Sequence, residues 1–314
     1  MSRAVYYDCD TGVDDALGLL YLLADPEVDV VGIGTVSGNT DAAQAAENTL
    51  RLLALAGRSD VPVAVGETDF RARPYQWRPT NIHGSNGIGG VELPAADRGV
   101  EEESAAQMLL RLSHEHDLEV ISVGPLTNLA AALDTDPTLA ERVTTMTSMG
   151  GAALVPGNVT PVAEANIWND PEAARIVLDA PWRVTLVGLD VTMEHVLDES
   201  HRTRLLASDR SVARAMGEIL DVYYDFYKAQ YGRRGSALHD PLACAIATGA
   251  IGVVDSPWVE VTVDDTDGPG RGQTIADLRG QRLGPVDQDG AHVRMVLKTD
   301  RPLADELTER IITG

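Results

Sequence analysis

The chain is 314 residues long and carries 48 Asp and Glu against 25 Lys and Arg, a formal net charge of −23. That sign argues against nucleic acid and anionic membranes as partners, because both repel an acidic surface. With 44% hydrophobic residues the sequence can bury a core, which excludes a disordered or collagen-like chain and fits one domain over 1–314. The longest apolar run, Ala16 to Ala24, is too short to span a bilayer. Arg3 leads straight into Ala4-Val5-Tyr6-Tyr7 with no signal-peptide pattern. Cys9 and Cys244 are the only cysteines, too few for a disulfide framework or a zinc-binding pair. A soluble, cytoplasmic protein is expected. Lys228 and Lys298 are the only lysines, a bias that codon usage and adaptation to high salt both produce.

The first 190 residues alternate between strands and helices. Ala4–Tyr7 reads as a short strand and Ala16–Leu23 as a buried helix, apolar on all sides. Val28–Val36 is a second strand ending in Ser37-Gly38-Asn39, and Ala42–Ala56 is a helix stopped at Gly57. Val61–Val65, Leu118–Val123, Val143–Met149 and Val184–Leu189 are further β-branched runs. Helical stretches at Ser104–His114, Asn128–Asp134 and Pro171–Leu178 lie between them. This rhythm predicts an α/β fold, an open and mainly parallel sheet flanked by helices. Two stretches break it. Gly66–Asp97 is a long loop rich in Pro, Gly and Arg, of a length that is usually either functional or poorly ordered. Ser211–Tyr231 is a long helix carrying Tyr223, Tyr224, Phe226, Tyr227 and Tyr231, and Gly232-Arg233-Arg234-Gly235 behind it reads as a mobile hinge.

Ligands of open parallel sheets sit past the carboxyl ends of the strands. There the sequence places Asp8-Cys9-Asp10-Thr11-Gly12-Val13-Asp14-Asp15, four aspartates within eight residues. Like charges this close repel, and helix capping accounts for one or two of them at most. All-oxygen ligands point to a hard cation, Ca²⁺ or Mg²⁺. The spacing fails as an EF-hand, since Gly12 and Val13 stand where that loop needs an aspartate and its glycine.

Asp8-x-Asp10-x-Gly12-x-Asp14-Asp15-Ala16 resembles the N-terminal fingerprint of the inosine-uridine-preferring nucleoside hydrolases. So do, in family order, Gly38-Asn39, Val123-Gly124-Pro125-Leu126-Thr127-Asn128, Met149-Gly150-Gly151, Pro161-Val162-Ala163-Glu164-Ala165-Asn166, Asp170-Pro171-Glu172-Ala173-Ala174 and His239-Asp240-Pro241. The resemblance implies a Ca²⁺-dependent enzyme that splits a nucleoside into base and ribose, working as a homodimer or homotetramer. Asp10, Asp15, Asp240 and the Val123 carbonyl match the metal ligands, with Asp10 also the base that takes a proton from the metal's water. Asp14, Asn39, Asn158, Glu164, Asn166 and Asp240 match the positions that hold ribose, and Met149 joins them in lining the substrate. His239 matches the acid that protonates the leaving base, a role that requires it to carry a proton. His83, Tyr227 and Tyr231 are assigned to contact with the nucleobase. Asp8 is expected to be structural, holding the turn. Thr11 and Ala165 depart from the commonest family pattern, and Ala165 removes a wall near the 5′-hydroxyl.

The chemistry favours these residue types. Cleavage of an N-glycosidic bond passes through an oxocarbenium-like sugar, which negative charge around the ribose stabilises. Two rival readings remain at this level. In a haloacid-dehalogenase-type phosphatase, Asp8 would be the nucleophile, Asp10 the acid/base and Mg²⁺ the metal, but Gly12 and the lack of a suitably placed lysine depart from that motif. In a Ca²⁺-dependent nucleoside-binding protein without turnover, the acid His239 would have no purpose.

Overall fold

The computed structural model describes residues 2–76, 78–284 and 286–314, so Trp77 of the long loop lies outside the described residues. The chain opens with β1 (Arg3–Cys9), α1 (Val13–Leu23), β2 (Val28–Thr35), α2 (Ala42–Leu55) and β3 (Val63–Val65). The long loop then carries the one-turn α3 (Thr80–His83). It is followed by α4 (Ala105–Glu115), β4 (Leu118–Ser122), α5 (Thr127–Thr135), α6 (Leu139–Arg142) and β5 (Thr145–Met149). Next come α7 (Ala165–Asn169), α8 (Pro171–Asp179), β6 (Val184–Val187), α9 (Leu189–Thr192) and β7 (Val196–Asp198). After α10 (Glu199–Leu206) and α11 (Ser211–Tyr231), β8 (Gly235–Ala237) leads into α12 (His239–Ala247). The C-terminal part holds β9 (Val253–Asp255), β10 (Trp258–Val259), β11 (Val261–Val263), β12 (Thr274–Ala276), β13 (Val293–Met295), β14 (Lys298–Thr299) and α13 (Ala304–Thr313).

Eight strands form one sheet in the order β10-β13-β6-β5-β4-β1-β2-β3, parallel throughout except for the antiparallel edge pair β10–β13. The chain winds outward from β1 through β2 to β3, then returns to build the other wing from β4. The order therefore reverses between β1 and β4, and such a switch point opens a crevice at the strand ends.

Alternation along β1 sends Val5, Tyr7 and Cys9 into one core, with α1, α11, α12 and α13, and Tyr6 into the other, with α4, α5 and α8. Helix α1 is buried from Val13 to Leu22, as its all-apolar face requires. Helix α4 begins in a reciprocal cap between Ser104 and Gln107.

Three expectations change. Strand β1 runs on to Cys9, so Asp8 lies inside the sheet rather than in a turn. Residues after Ala250, to which the sequence reading assigned no element, supply β13 and β10 to the sheet. The segment 232–235 is no hinge: Gly232 ends α11 in the left-handed conformation and Gly235 enters β8, which pairs with β7. Arg234 between them is anchored to Glu199, 2.6 Å away, and to Asp221 and Asp225, and lies over the Tyr224 ring. Among the described residues no helix is long and apolar enough to cross a membrane.

Candidate active site

The crevice opens where β1 gives way to α1. Asp15, in the first turn of α1, accepts the amides of Asp10 at 3.0 Å and Gly12 at 2.8 Å, folding the Asp10–Gly12 turn over the helix N-terminus. Asp10 turns the other way and accepts the Asn39 amide at 2.5 Å, while the Asn39 side chain donates to Asp15 at 2.9 Å. This closeness needs Gly38, where an added Cβ would stand 1.9 Å from Asp10 Oδ2. Asp240, second residue of α12, completes the cluster: one carboxylate oxygen each from Asp14, Asp15 and Asp240 lie within 4.8 Å of one another.

Burial raises the titration of every carboxylate here. Asp14 is pushed up to about 7; Asp10 and Asp15 are raised, and Asp240 is also lifted by the charges of Asp14, Asp15 and Asp10. Asp10 Oδ1 and Asp14 Oδ1 are buried and meet no hydrogen-bond partner among the described residues. Stranded oxygens among crowded carboxylates are the donor set of a hard cation, so the residues fit a metal.

Above this floor lies a cavity of about 370 Å³, ample for a small ligand. Asp14, Asn39, His83, Val123, Met149, Asn158, Glu164, Asn166, Tyr227, Tyr231, His239 and Asp240 all line it, whereas Asp10 and Asp15 lie beneath. The Asn166 side chain donates to the carbonyl of Val123 at 2.8 Å and to that of Met149 at 3.3 Å, tying the ends of β4 and β5 together. Glu164 caps α7, taking the amides of Asn166, Ile167 and Gly151. Asn158 accepts the Ala165 amide at 3.0 Å.

The opposite wall is aromatic. The His239 ring is held at both nitrogens, Nδ1 by the Thr192 hydroxyl at 2.8 Å and Nε2 by the Tyr227 hydroxyl at 2.9 Å. Burial pushes it down to about 4. An acid that carries its proton as a free imidazolium at neutral pH is therefore not what this conformation presents; the ring is neutral and offers a single N–H. His83 Nδ1 accepts the Val13 amide at 3.2 Å, its ring lies 5.4 Å from that of Tyr223, and burial pushes it down to about 3. Tyr227 and Tyr231 stack at 5.4 Å.

Sequence reasoning missed Tyr223, whose hydroxyl donates to Asp14 Oδ2 at 3.1 Å, and Thr192. The tyrosine spacing along α11 could have shown the first; nothing marked the second. Asp8 is fully buried in β1, bonded at Oδ1 to the Asn128 amide at 2.8 Å and absent from the cavity lining. A nucleophile for phosphate esters cannot work from there.

A doubly wound sheet with a carboxylate floor at its switch point and a polar-to-aromatic cavity above defines an α/β protein whose ligand site lies at the strand ends, the arrangement of many enzymes. Residues 5–305 match the family model of the inosine-uridine preferring nucleoside hydrolases, and the chain belongs to that family. The inosine-uridine preferring nucleoside hydrolase of Crithidia fasciculata is 34% identical over 304 residues, 96% of this chain and 94% of that one. A pyrimidine-specific ribonucleoside hydrolase, RihA, of a Shewanella strain is 38% identical over 250 residues, 79% of this chain and 77% of the relative. A solved plant nucleoside hydrolase matches with a TM-score of 0.92 at 31% identity, covering 100% of both chains. The chain is thus an enzyme, a hydrolase of ribonucleosides, and neither the phosphatase nor the binding-only reading finds support.

Proposed function

We propose that the chain, one domain over 1–314, is a Ca²⁺-dependent N-ribohydrolase in which Asp10, Asp15, Asp240 and the Val123 carbonyl hold the ion and Asp10 is the general base. The observation that carries this reading is the pair of stranded oxygens, Asp10 Oδ1 and Asp14 Oδ1, on a floor of buried carboxylates. A bound Ca²⁺ would neutralise those carboxylates, acidify a water and grip the sugar diol. Asp10 takes the proton from the attacking water through its free Oδ1. Asp14, Asn39, Asn158, Glu164, Asn166 and Asp240 hold the ribose hydroxyls, and Met149 packs against the sugar. The negative charge of Asp14, Glu164 and Asp240 favours the oxocarbenium-like transition state over the ground state.

At the other end His239, paired with Tyr227, donates a hydrogen bond to the departing base, and His83 and Tyr231 contact its ring. The electron pair of the broken C1′–N bond leaves with the base, and a donor at its edge is what that charge needs. The two buried, unpaired thiols suit a reducing compartment, which supports a cytoplasmic location; a homodimer or homotetramer is the assembly in this reading.

The test is release of reducing sugar from inosine, adenosine, guanosine, uridine, cytidine and 5-methyluridine, alongside calorimetric titration of the chelated protein with Ca²⁺. Sugar release together with stoichiometric Ca²⁺ binding, lost in Asp10→Ala, is the expected result. Turnover undiminished after chelation would overturn the metal assignment.

A further inference from the structure

We infer that Thr192 is a positioning residue for the leaving-group end of the site: its hydroxyl fixes the plane of the His239 imidazole, so that Nε2 and the Tyr227 hydroxyl face the nucleobase. This rests on the proposed role of His239.

The geometry is a clamp with two jaws. His239 begins α12, and the residue before it, Leu238, donates its amide to the His195 carbonyl at 2.8 Å. His195 is in turn tied to Thr192, donating its own amide to the Thr192 carbonyl at 3.2 Å. The 192–195 segment therefore holds the main chain next to His239, at Leu238, through His195, and the His239 side chain through the Thr192 hydroxyl, 2.8 Å from Nδ1. The segment itself cannot drift. The Thr192 amide donates to the Gly188 carbonyl, and His195 is pinned at both ring nitrogens, by the Leu303 amide at 3.2 Å and the Thr299 hydroxyl at 2.9 Å. Thr192 is fully buried.

The two hydroxyls that meet His239 are unequal. Tyr227 rides on α11 and itself lines the cavity, so an incoming base competes for its hydroxyl. Thr192 lies outside the cavity lining and keeps its bond whatever enters. When Tyr227 turns to the base, Thr192 is the partner that keeps the imidazole from rotating about its side-chain torsions. An unrestrained ring would leave its N–H misaligned with the departing base, and loss of alignment costs rate far more than binding.

Valine is nearly isosteric with threonine and replaces the hydroxyl with a methyl that cannot hydrogen-bond, so Thr192→Val tests the idea. The readout compares kcat for uridine and inosine with kcat for 4-nitrophenyl β-ribofuranoside, whose nitrophenolate leaves without a donor. Thr192→Val should lower kcat for both nucleosides by about 10- to 100-fold, the scale of an orienting partner, with the nitrophenyl riboside unchanged within about twofold and KM little moved. Thr192→Ser, which restores the hydroxyl, should recover most of the nucleoside rate. An equal loss on nucleosides and the nitrophenyl riboside would mean that the substitution disturbs the fold or the sugar site, and the inference fails. Loss in His239→Ala without loss in Thr192→Val would overturn the role of Thr192 alone. No selective loss in either variant would overturn the leaving-group role of His239 as well.

Discussion

At the floor of the cavity the functional side chains are fixed by the main chain: Asp15 by two amides of its own turn, Asp10 by that of Asn39, and Glu164 by two at the start of α7 and by that of Gly151 after β5. At the aromatic wall the order comes from other side chains, with Tyr223 bonded to Asp14, Tyr227 to His239 and Tyr231 stacked on Tyr227 while half exposed. A floor built from strand ends and helix N-termini is set once the sheet forms. A wall built from aromatic rings along one face of α11 can be exchanged residue by residue without disturbing the sheet. In the proposed reading, sugar chemistry and base preference thus fall to parts that are built in different ways.

Substitutions at the two ends should separate cleanly. Asp10→Ala removes the proposed base and a proposed metal ligand together, and sugar release from every nucleoside should fall by at least about 10⁴-fold; a fall confined to one base would break the division. His239→Ala should cost about 10²–10⁴ in kcat for inosine and less for uridine, where the tyrosine pair and solvent take over part of the donor's role. Because His239 is held near 4, its titration should leave no limb in the rate profile between about pH 5 and 8. A limb there, lost in the variant, would show that substrate binding restores the imidazolium. Tyr231→Ala should raise KM a few-fold and depend on the base, since an exposed stacked ring contributes about 1 kcal/mol.

Asp8→Asn should leave the rate alone and sharpen the account of the floor. Burial raises the Asp8 carboxyl from 3.8 to about 7, so folding favours its protonated form. That contribution is complete below 3.8 and is lost as pH rises through 7. The variant has no such proton, so its melting temperature relative to the native protein should climb between pH 4 and 8, by the equivalent of at most about 4 kcal/mol. Parallel melting profiles would mean that Asp8 titrates normally.

The carboxylate cluster was legible because its cost is local: four acids within eight residues repel in any fold, and three of them, Asp10, Asp14 and Asp15, gather at the floor of the cavity. The strands before Leu189 were legible because β-branched runs alternate with helices there. The C-terminal strands were not, since β13 and β10 are three and two residues long and gain their place only from the β6 edge. Thr192 was invisible for a related reason: a lone threonine after a strand acquires meaning only when residue 239 arrives beside it. The supposed hinge misled because glycines signal freedom, whereas here they frame an arginine that three carboxylates hold.

That arginine gives the protein two opposite responses to ionic strength. The excess of 23 negative charges repels itself, and added salt relieves that repulsion, which favours the compact chain. Arg234, joined to Glu199, Asp221 and Asp225 where α11 meets β8, loses attraction in the same salt. Concentrated electrolyte therefore tightens the molecule as a whole while slackening the corner that carries Tyr227 and Tyr231.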